Sequence, residues 1–266
     1  MTIAEDSYAK PAFGVGSRLS ETFSIFGSRF GVFAAISIVM GIVAQLVTYG
    51  LAQVLGTGTV DAQQLEGGIE AEAALLSSIN WMTVIVLLLV PLLIYAVMTG
   101  MLVLAAYDAK TGRPAHIGIY VGEGLRRVVP LVVVSLLSYL AIGIGFGLLV
   151  VPGIWLIGVL SVVVPSIMVD RSGFGAFRRS SALTKGYRWP IVGLVFVIYV
   201  MIWAISAALG LVLVYVPPMP VVASIIQGAI GGLTTAFGSI AIAVTYARLR
   251  EIKEGIGFTD LAAVFA

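Results

Sequence analysis

The charged residues of this 266-residue chain leave four long stretches that contain no Asp, Glu, Lys or Arg. These stretches are residues 30–60, 73–107, 128–169 and 189–247. A transmembrane α-helix needs about 20 consecutive apolar residues. The first two stretches are therefore long enough for one helix each, and the last two for two helices each. Turn-forming residues divide both longer stretches, Pro152-Gly153 in one and Pro217, Pro218 and Pro220 in the other.

The apolar runs are continuous and do not alternate with a period of two, which favours helices over strands. We therefore predict an all-α, polytopic membrane protein with six transmembrane helices. The predicted spans lie near residues 31–54, 81–106, 128–149, 152–169, 190–214 and 220–247.

The composition excludes several classes of protein. Hydrophobic residues make up 60% of the chain and charged residues 11%, against about 25% charged residues in soluble domains. A soluble protein of this size could not bury so much apolar surface. A net charge of +2 is too small for a nucleic-acid-binding surface. The absence of cysteine excludes disulfides and thiolate metal sites.

The positions of the 15 basic residues predict the orientation. All of them lie before the first span, between spans 2 and 3, between spans 4 and 5, or after span 6. With six spans, these four segments share one side of the membrane. The opposite side receives Asp61, Glu66, Glu70 and Glu72 and no basic residue. The positive-inside rule then places the basic side and both termini in the cytoplasm.

Three basic segments share a pattern that predicts an interfacial amphipathic helix before each pair of spans. Apolar residues recur every three or four positions in residues 15–30, 117–128 and 174–189. Such helices lie in the headgroup layer, with their bases toward lipid phosphate. We predict three hairpins, each preceded by one of these helices. Residues 1–14 would form a cytoplasmic tail, and residues 15–266 a single domain.

Small and polar residues within the spans predict how the helices pack. Ser224, Gly228, Gly232 and Ala236 follow one another at intervals of four in span 6, a spacing that allows close helix contact. We expect packing within one chain, with homodimerisation as the alternative. Other small-residue pairs lie in spans 2, 3 and 5, namely Ala96 and Gly100, Gly143 and Gly147, Ala204 and Ala208, and Ser206 and Gly210.

Polar residues and prolines within or beside the spans predict further local features. Gln45 and Gln227 are expected to make a polar contact between helices, with a substrate site as the alternative. Pro91 and Pro165 are expected to kink their helices. Asn80 is expected to cap span 2.

The sequence contains no recognisable catalytic or metal-binding pattern. The predicted span interiors hold no Asp, Glu, Lys, Arg or His, the residues that mark proton relays and many ion pathways. The single histidine, His116, cannot supply a two-histidine metal site. We therefore predict a protein that is not an enzyme and that has no cofactor and no metal.

Residues 152–194 resemble a known family of bacterial membrane proteins. The matching features are Pro152-Gly153-Ile154, Pro165 and the segment 176–189, with Arg179-Ser180 and Leu183-Thr184-Lys185-Gly186. This stretch is similar to the membrane domain of bacterial glycerophosphoryl diester phosphodiesterases and to the YciC-like six-span proteins. The resemblance implies a bacterial inner (plasma) membrane protein without an assigned role. It does not imply phosphodiesterase activity, which resides in a separate soluble barrel domain of that family.

The favoured function is an integral membrane module that binds anionic lipid or a protein partner through its basic cytoplasmic face. The predicted contact residues are Arg171, Arg178, Arg179, Lys185 and Arg188. One alternative is a transporter or permease for a small apolar or amphipathic solute, with Gln45 or Gln227 in a midplane cavity. Another is an enzyme acting on lipid headgroups, in which Asp108, Glu123 and Asp170 would converge. The expected partners are membrane lipids, with a protein partner or a second copy of the chain as further options, and no nucleic acid.

Overall fold

The computed structural model describes residues 13–55, 80–213 and 219–255, with ten α-helices in these ranges. The predicted outer loop, the Pro217-Pro218 turn and most of the predicted tail lie outside the described residues. The helices are α1 (Val15–Ser28), α2 (Phe30–Val54), α3 (Trp81–Lys110), α4 (Ile117–Arg126), α5 (Val128–Leu148), α6 (Val150–Leu160), α7 (Val163–Met168), α8 (Ala176–Thr184), α9 (Arg188–Leu213) and α10 (Pro220–Glu254).

Six helical segments are long and apolar enough to cross a membrane, as the sequence predicts. They are Phe30–Val54, Trp81–Lys110, Val128–Leu148, Val150–Met168, Arg188–Ala208 and Pro220–Glu254. The all-helical, six-span fold class is thus confirmed, and the fold defines a multi-pass membrane protein.

The connection between the third and fourth spans lies three residues before its predicted position. Helix α5 ends at Leu148, and the single extended residue Leu149 (φ −162°, ψ 150°) leads directly into α6. Pro152 lies in the first turn of α6. Backbone N–H groups have no partner within the helix there, so a proline without an N–H removes no hydrogen bond. Gly153 faces α5, and a Cβ on Gly145 would lie 3.0 Å from the Gly153 Cα. The Pro-Gly pair therefore begins the helix and permits close packing, and it does not form the turn.

Pro165 and Pro91 have different effects on their helices. The fourth span breaks at Ser161 and Val162, between α6 and α7. Proline clashes with the carbonyl four residues earlier, which for Pro165 is that of Ser161. Helix α3 continues unbroken through Pro91.

The span-6 small-residue stripe packs within the chain, against α2. A Cβ on Gly41 would lie 2.2 Å from the Gly228 carbonyl oxygen, and one on Gly232 would lie 2.0 Å from the Ser37 carbonyl oxygen. Ser224 and Ala236, the other two residues of the stripe, are also buried. In contrast, the small residues at 143, 147, 204, 206, 208 and 210 are exposed. The same pair of helices brings Nε2 of Gln45 within 3.5 Å of Oε1 of Gln227, which confirms the expected interhelical contact.

Asn80 caps α3, as predicted. Its side-chain oxygen accepts hydrogen bonds from the Met82 and Thr83 N–H groups at 3.1 and 3.4 Å.

Replacing Asn80 with Ala is expected to destabilise the protein by about 1 kcal/mol, because two helix N–H groups lose their acceptor. The measurement is the midpoint of SDS-induced unfolding of purified protein, followed by circular dichroism. Asn80→Asp, which keeps an acceptor, is expected to retain most of the stability. An equal loss in both variants would contradict the capping role.

Candidate functional site at the basic end of the bundle

Ion pairs join the basic segments of α1, α3, α7, α8 and α10 at one end of the bundle, called here the basic end. Glu21 of α1 lies 2.6 Å from Lys110 Nζ at the end of α3. Asp170, just after α7, lies 3.1 Å from Arg250 of α10. Segments far apart in sequence therefore meet at this end.

Four alternating charges form a closed ring, called here the ionic ring: Asp170, Arg179, Glu254 and Arg250. Asp170 accepts from Arg179 Nε at 2.6 Å, and Glu254 accepts from Arg250 Nε at 2.8 Å. Arg179 also pairs with Glu254, and Arg250 with Asp170. All four side chains are less than one-third exposed. Burial by itself lowers the pKa of Arg179, but hydrogen bonds to Glu254 and Asp170 outweigh it and raise the pKa above its usual range.

The structure separates the five predicted contact residues into different environments. Arg179 lies in the ionic ring, which satisfies its charge within the protein. The Arg188 guanidinium lies 4.5 Å from the centre of the Trp155 ring, a cation–π arrangement. Arg178 and Lys185 are exposed, and each lacks a carboxylate partner among the described residues.

Arg171 occupies a separate position. Its φ of 55° makes it the one non-glycine residue with a left-handed backbone in the described part of the chain. Such a conformation costs free energy for a residue with a Cβ. The chain turns here, with Asp170 in the ionic ring and Arg171 lining a neighbouring cavity.

This cavity, called here the headgroup cavity, has a volume of about 550 Å³ and lies between α3, α4 and the end of α7. Its polar lining residues include Asp108, Thr111, Arg113, His116, Tyr120, Glu123, Arg127 and Arg171. Its floor includes the apolar residues Leu104, Met168 and Val169. Guanidinium groups over an apolar floor suit a ligand with a phosphate and a hydrocarbon part.

Two internal contacts fix the carboxylates of the headgroup cavity. The Tyr120 hydroxyl donates to Asp108 at 2.6 Å. Burial and this hydrogen bond raise the Tyr120 pKa above its usual range, so the phenol stays protonated. Glu123 pairs with Arg127. Arg113 and Arg171 also line this cavity.

The sequence missed several of these residues. The cavity residues Arg113, Tyr120 and Arg127 and the ring members Arg250 and Glu254 were outside the predicted site. The four-residue spacing of Arg250 and Glu254 was a local signal of pairing on one helix face. The lipid-headgroup enzyme alternative requires Asp108, Glu123 and Asp170 together. Asp108 and Glu123 line the headgroup cavity, whereas Asp170 belongs to the ionic ring.

No group of three or more metal-ligating side chains occurs among the described residues. Comparison with known proteins finds no matching family model, no matching curated protein and no matching solved structure. The family resemblance of residues 152–194 therefore stays a prediction.

Proposed function

We propose that this protein is a non-enzymatic module of a bacterial inner membrane that binds anionic phospholipid headgroups at its basic end, with that end and both termini in the cytoplasm. The observation that carries the proposal is the surface of α8 and its flanks. Arg178 and Lys185 project there without a carboxylate partner among the described residues, between the exposed aromatic residues Phe174 and Trp189. Basic and aromatic side chains together are typical of the membrane–water interface.

Helix α4 supports the interfacial part of the proposal. Its buried residues are Tyr120 and Gly124, which face the bundle. Ile117, Val121 and Leu125, the predicted apolar face, are exposed. A short helix whose apolar face points away from the protein fits a position in the headgroup layer, where acyl chains cover that face.

Helices α1 and α8 do not share this orientation. The apolar face predicted for α8 packs on the protein, since Ala176, Ser180 and Leu183 are buried and the Ser180 hydroxyl donates to the Val159 carbonyl at 2.6 Å. In α1, Thr22 and Ile25 are buried, whereas Phe23 is half-exposed. We infer three hairpins that each follow one of these short helices, with α4 in closest contact with lipid.

The headgroup cavity extends the proposed surface inward. Arginine side chains beside an apolar floor suit a phosphate and the start of an acyl chain. The ligand would reach this cavity along the exposed face of α4.

Arg178→Glu is expected to weaken retention of phosphatidylglycerol about thirtyfold. Each base contributes about 1 kcal/mol at an anionic surface, so charge reversal changes the free energy by about 2 kcal/mol, or about 1.5 powers of ten. The measurement is native mass spectrometry of protein released from nanodiscs of mixed phosphatidylglycerol and phosphatidylethanolamine.

Arg178→Lys is the matched control, because it keeps the positive charge at the same exposed position. We expect it to retain phosphatidylglycerol as the unmodified protein does. If Arg178→Lys lost as much lipid as Arg178→Glu, the loss would not depend on charge and the proposed contact would be wrong. Unchanged retention in Arg178→Glu would also reject it.

A further inference from the structure

A second cavity lies within the membrane-spanning part of the bundle, away from the basic end. Its volume is about 620 Å³, and its walls come from α3, α5, α6, α7, α9 and α10. Small-molecule sites commonly have volumes of about 300–1,000 Å³. Gln45 and Gln227, the residues expected to line a transport cavity, are not part of its walls. It is called here the intramembrane cavity.

The walls are mainly aliphatic and carry hydroxyl groups but no charged side chain. A charged ligand would lack a counter-charge at membrane depth, where an unpaired charge is costly. An uncharged ligand with a hydrocarbon body meets no such penalty.

Five of the eleven wall hydroxyls can act only as acceptors toward a ligand. Those of Ser138, Ser161, Thr234, Thr235 and Ser239 each donate their hydrogen to a carbonyl three or four residues earlier, at 2.7–3.0 Å. Their oxygens keep free lone pairs. A ligand that pairs with these oxygens must therefore bring its own O–H or N–H donor.

The cavity opens sideways, toward the surface that faces lipid. Tyr139 of α5 and Tyr199 of α9 line it and are 66% and 65% exposed. Helix α6 packs against both α5 and α9, whereas α5 and α9 make no extensive contact with each other. A chain from the bilayer can reach the cavity between these two tyrosines without crossing water.

We propose that the intramembrane cavity binds one uncharged, single-chain lipid that carries a hydroxyl group, with the chain among the aliphatic residues and the hydroxyl donating to the Ser and Thr oxygens. This site is independent of the lipid-binding surface proposed at the basic end. Either proposal can fail without affecting the other.

Gly238 offers a variant that fills the cavity with little disturbance. It lines the cavity, and a Cβ at this position would meet no atom within 4 Å. The matched control is Gly210, an exposed glycine of α9 whose Cβ would also meet nothing within 4 Å and which lies outside the cavity lining.

The test uses the full chain in nanodiscs and a 16-carbon alcohol carrying a photoreactive diazirine. Labelled peptides are mapped by mass spectrometry, with unlabelled hexadecanol as competitor. We expect competed labelling of cavity-lining residues that falls at least tenfold in Gly238→Leu and is unchanged in Gly210→Leu. Labelling confined to exposed lipid-facing residues, or labelling that Gly238→Leu does not reduce, would overturn the proposal.

A second variant and a second probe test the hydrogen-bond chemistry without filling the cavity. Thr235→Val keeps the side-chain shape and removes an acceptor oxygen, so we expect a severalfold loss of alcohol labelling relative to a diazirine alkane. Equal labelling by the alcohol and the alkane in the unmodified protein would reject the hydroxyl requirement. Labelling of the cavity by a diazirine alkyl sulfonate, which stays charged at neutral pH, as strong as that by the alcohol would reject the requirement for an uncharged ligand.

Discussion

Gly232→Ala is expected to destabilise the protein by about 3 kcal/mol or more and to separate α10 from α2. The added Cβ would lie 2.0 Å from the Ser37 carbonyl oxygen and 2.6 Å from its carbonyl carbon. Overpacking typically costs about 1–3 kcal/mol when side chains can move aside. Here the obstacle is backbone, so a whole helix has to shift, and the close contact between α2 and α10 is lost.

The neighbouring Gly231 provides the control. A Cβ at Gly231 would meet only the Tyr95 hydroxyl, at 3.9 Å, so Gly231→Ala is expected to be neutral or slightly stabilising because alanine favours helix. Both variants change one helical glycine to alanine at adjacent positions. The measurement is the midpoint of SDS-induced unfolding. Similar midpoints for the two variants would contradict the packing of α2 against α10.

Arg179→Ala is expected to destabilise the protein by about 1–3 kcal/mol, although Arg178→Ala next to it changes stability by less than about 0.5 kcal/mol. Removing Arg179 leaves Asp170 and Glu254 sharing Arg250 alone, in a cluster that is only partly exposed to solvent. Partial exposure keeps the loss below that of a fully buried pair. The measurement is again the unfolding midpoint.

Arg179→Lys refines this prediction. An ammonium group cannot present the forked donors that reach Asp170 and Glu254 together. We therefore expect an intermediate loss of stability. Unfolding of Arg179→Lys at the same midpoint as the unmodified protein would mean that the positive charge alone stabilises the cluster. Equal losses of stability in Arg178→Ala and Arg179→Ala would contradict the ionic ring.

The contrast between Arg178 and Arg179 changes how lipid binding has to be tested. Reversing both charges together would mix a loss of lipid contact with a loss of the ionic ring. Reversing Arg178 alone changes an exposed arginine and leaves the ring intact. The two neighbours thus provide separate readouts of binding and of stability.

Local sequence signals predicted local features well. The Asn80 cap depends on residues two and three positions away. The span limits depend on the charged residues that bound each apolar stretch. The Pro152-Gly153 turn was predicted wrongly in position, because proline is favoured both in turns and in the first turn of a helix. The face of α8 that was predicted to contact lipid packs on the protein instead, through Val159, which is 21 residues away from Ser180.

The sequence by itself determined which six segments are helices long and apolar enough to cross a membrane, because transfer of an apolar helix into lipid depends on the residues of that helix alone. Only the tertiary structure decided which basic residues are paired. Asp170 and Arg250 are 80 positions apart, and no periodicity links them. The same holds for the intramembrane cavity, which exists because six helices pack around it with α5 and α9 apart. The pattern of charged residues along the sequence predicts which helices lie in the membrane. The contact partners of their side chains depend on long-range packing.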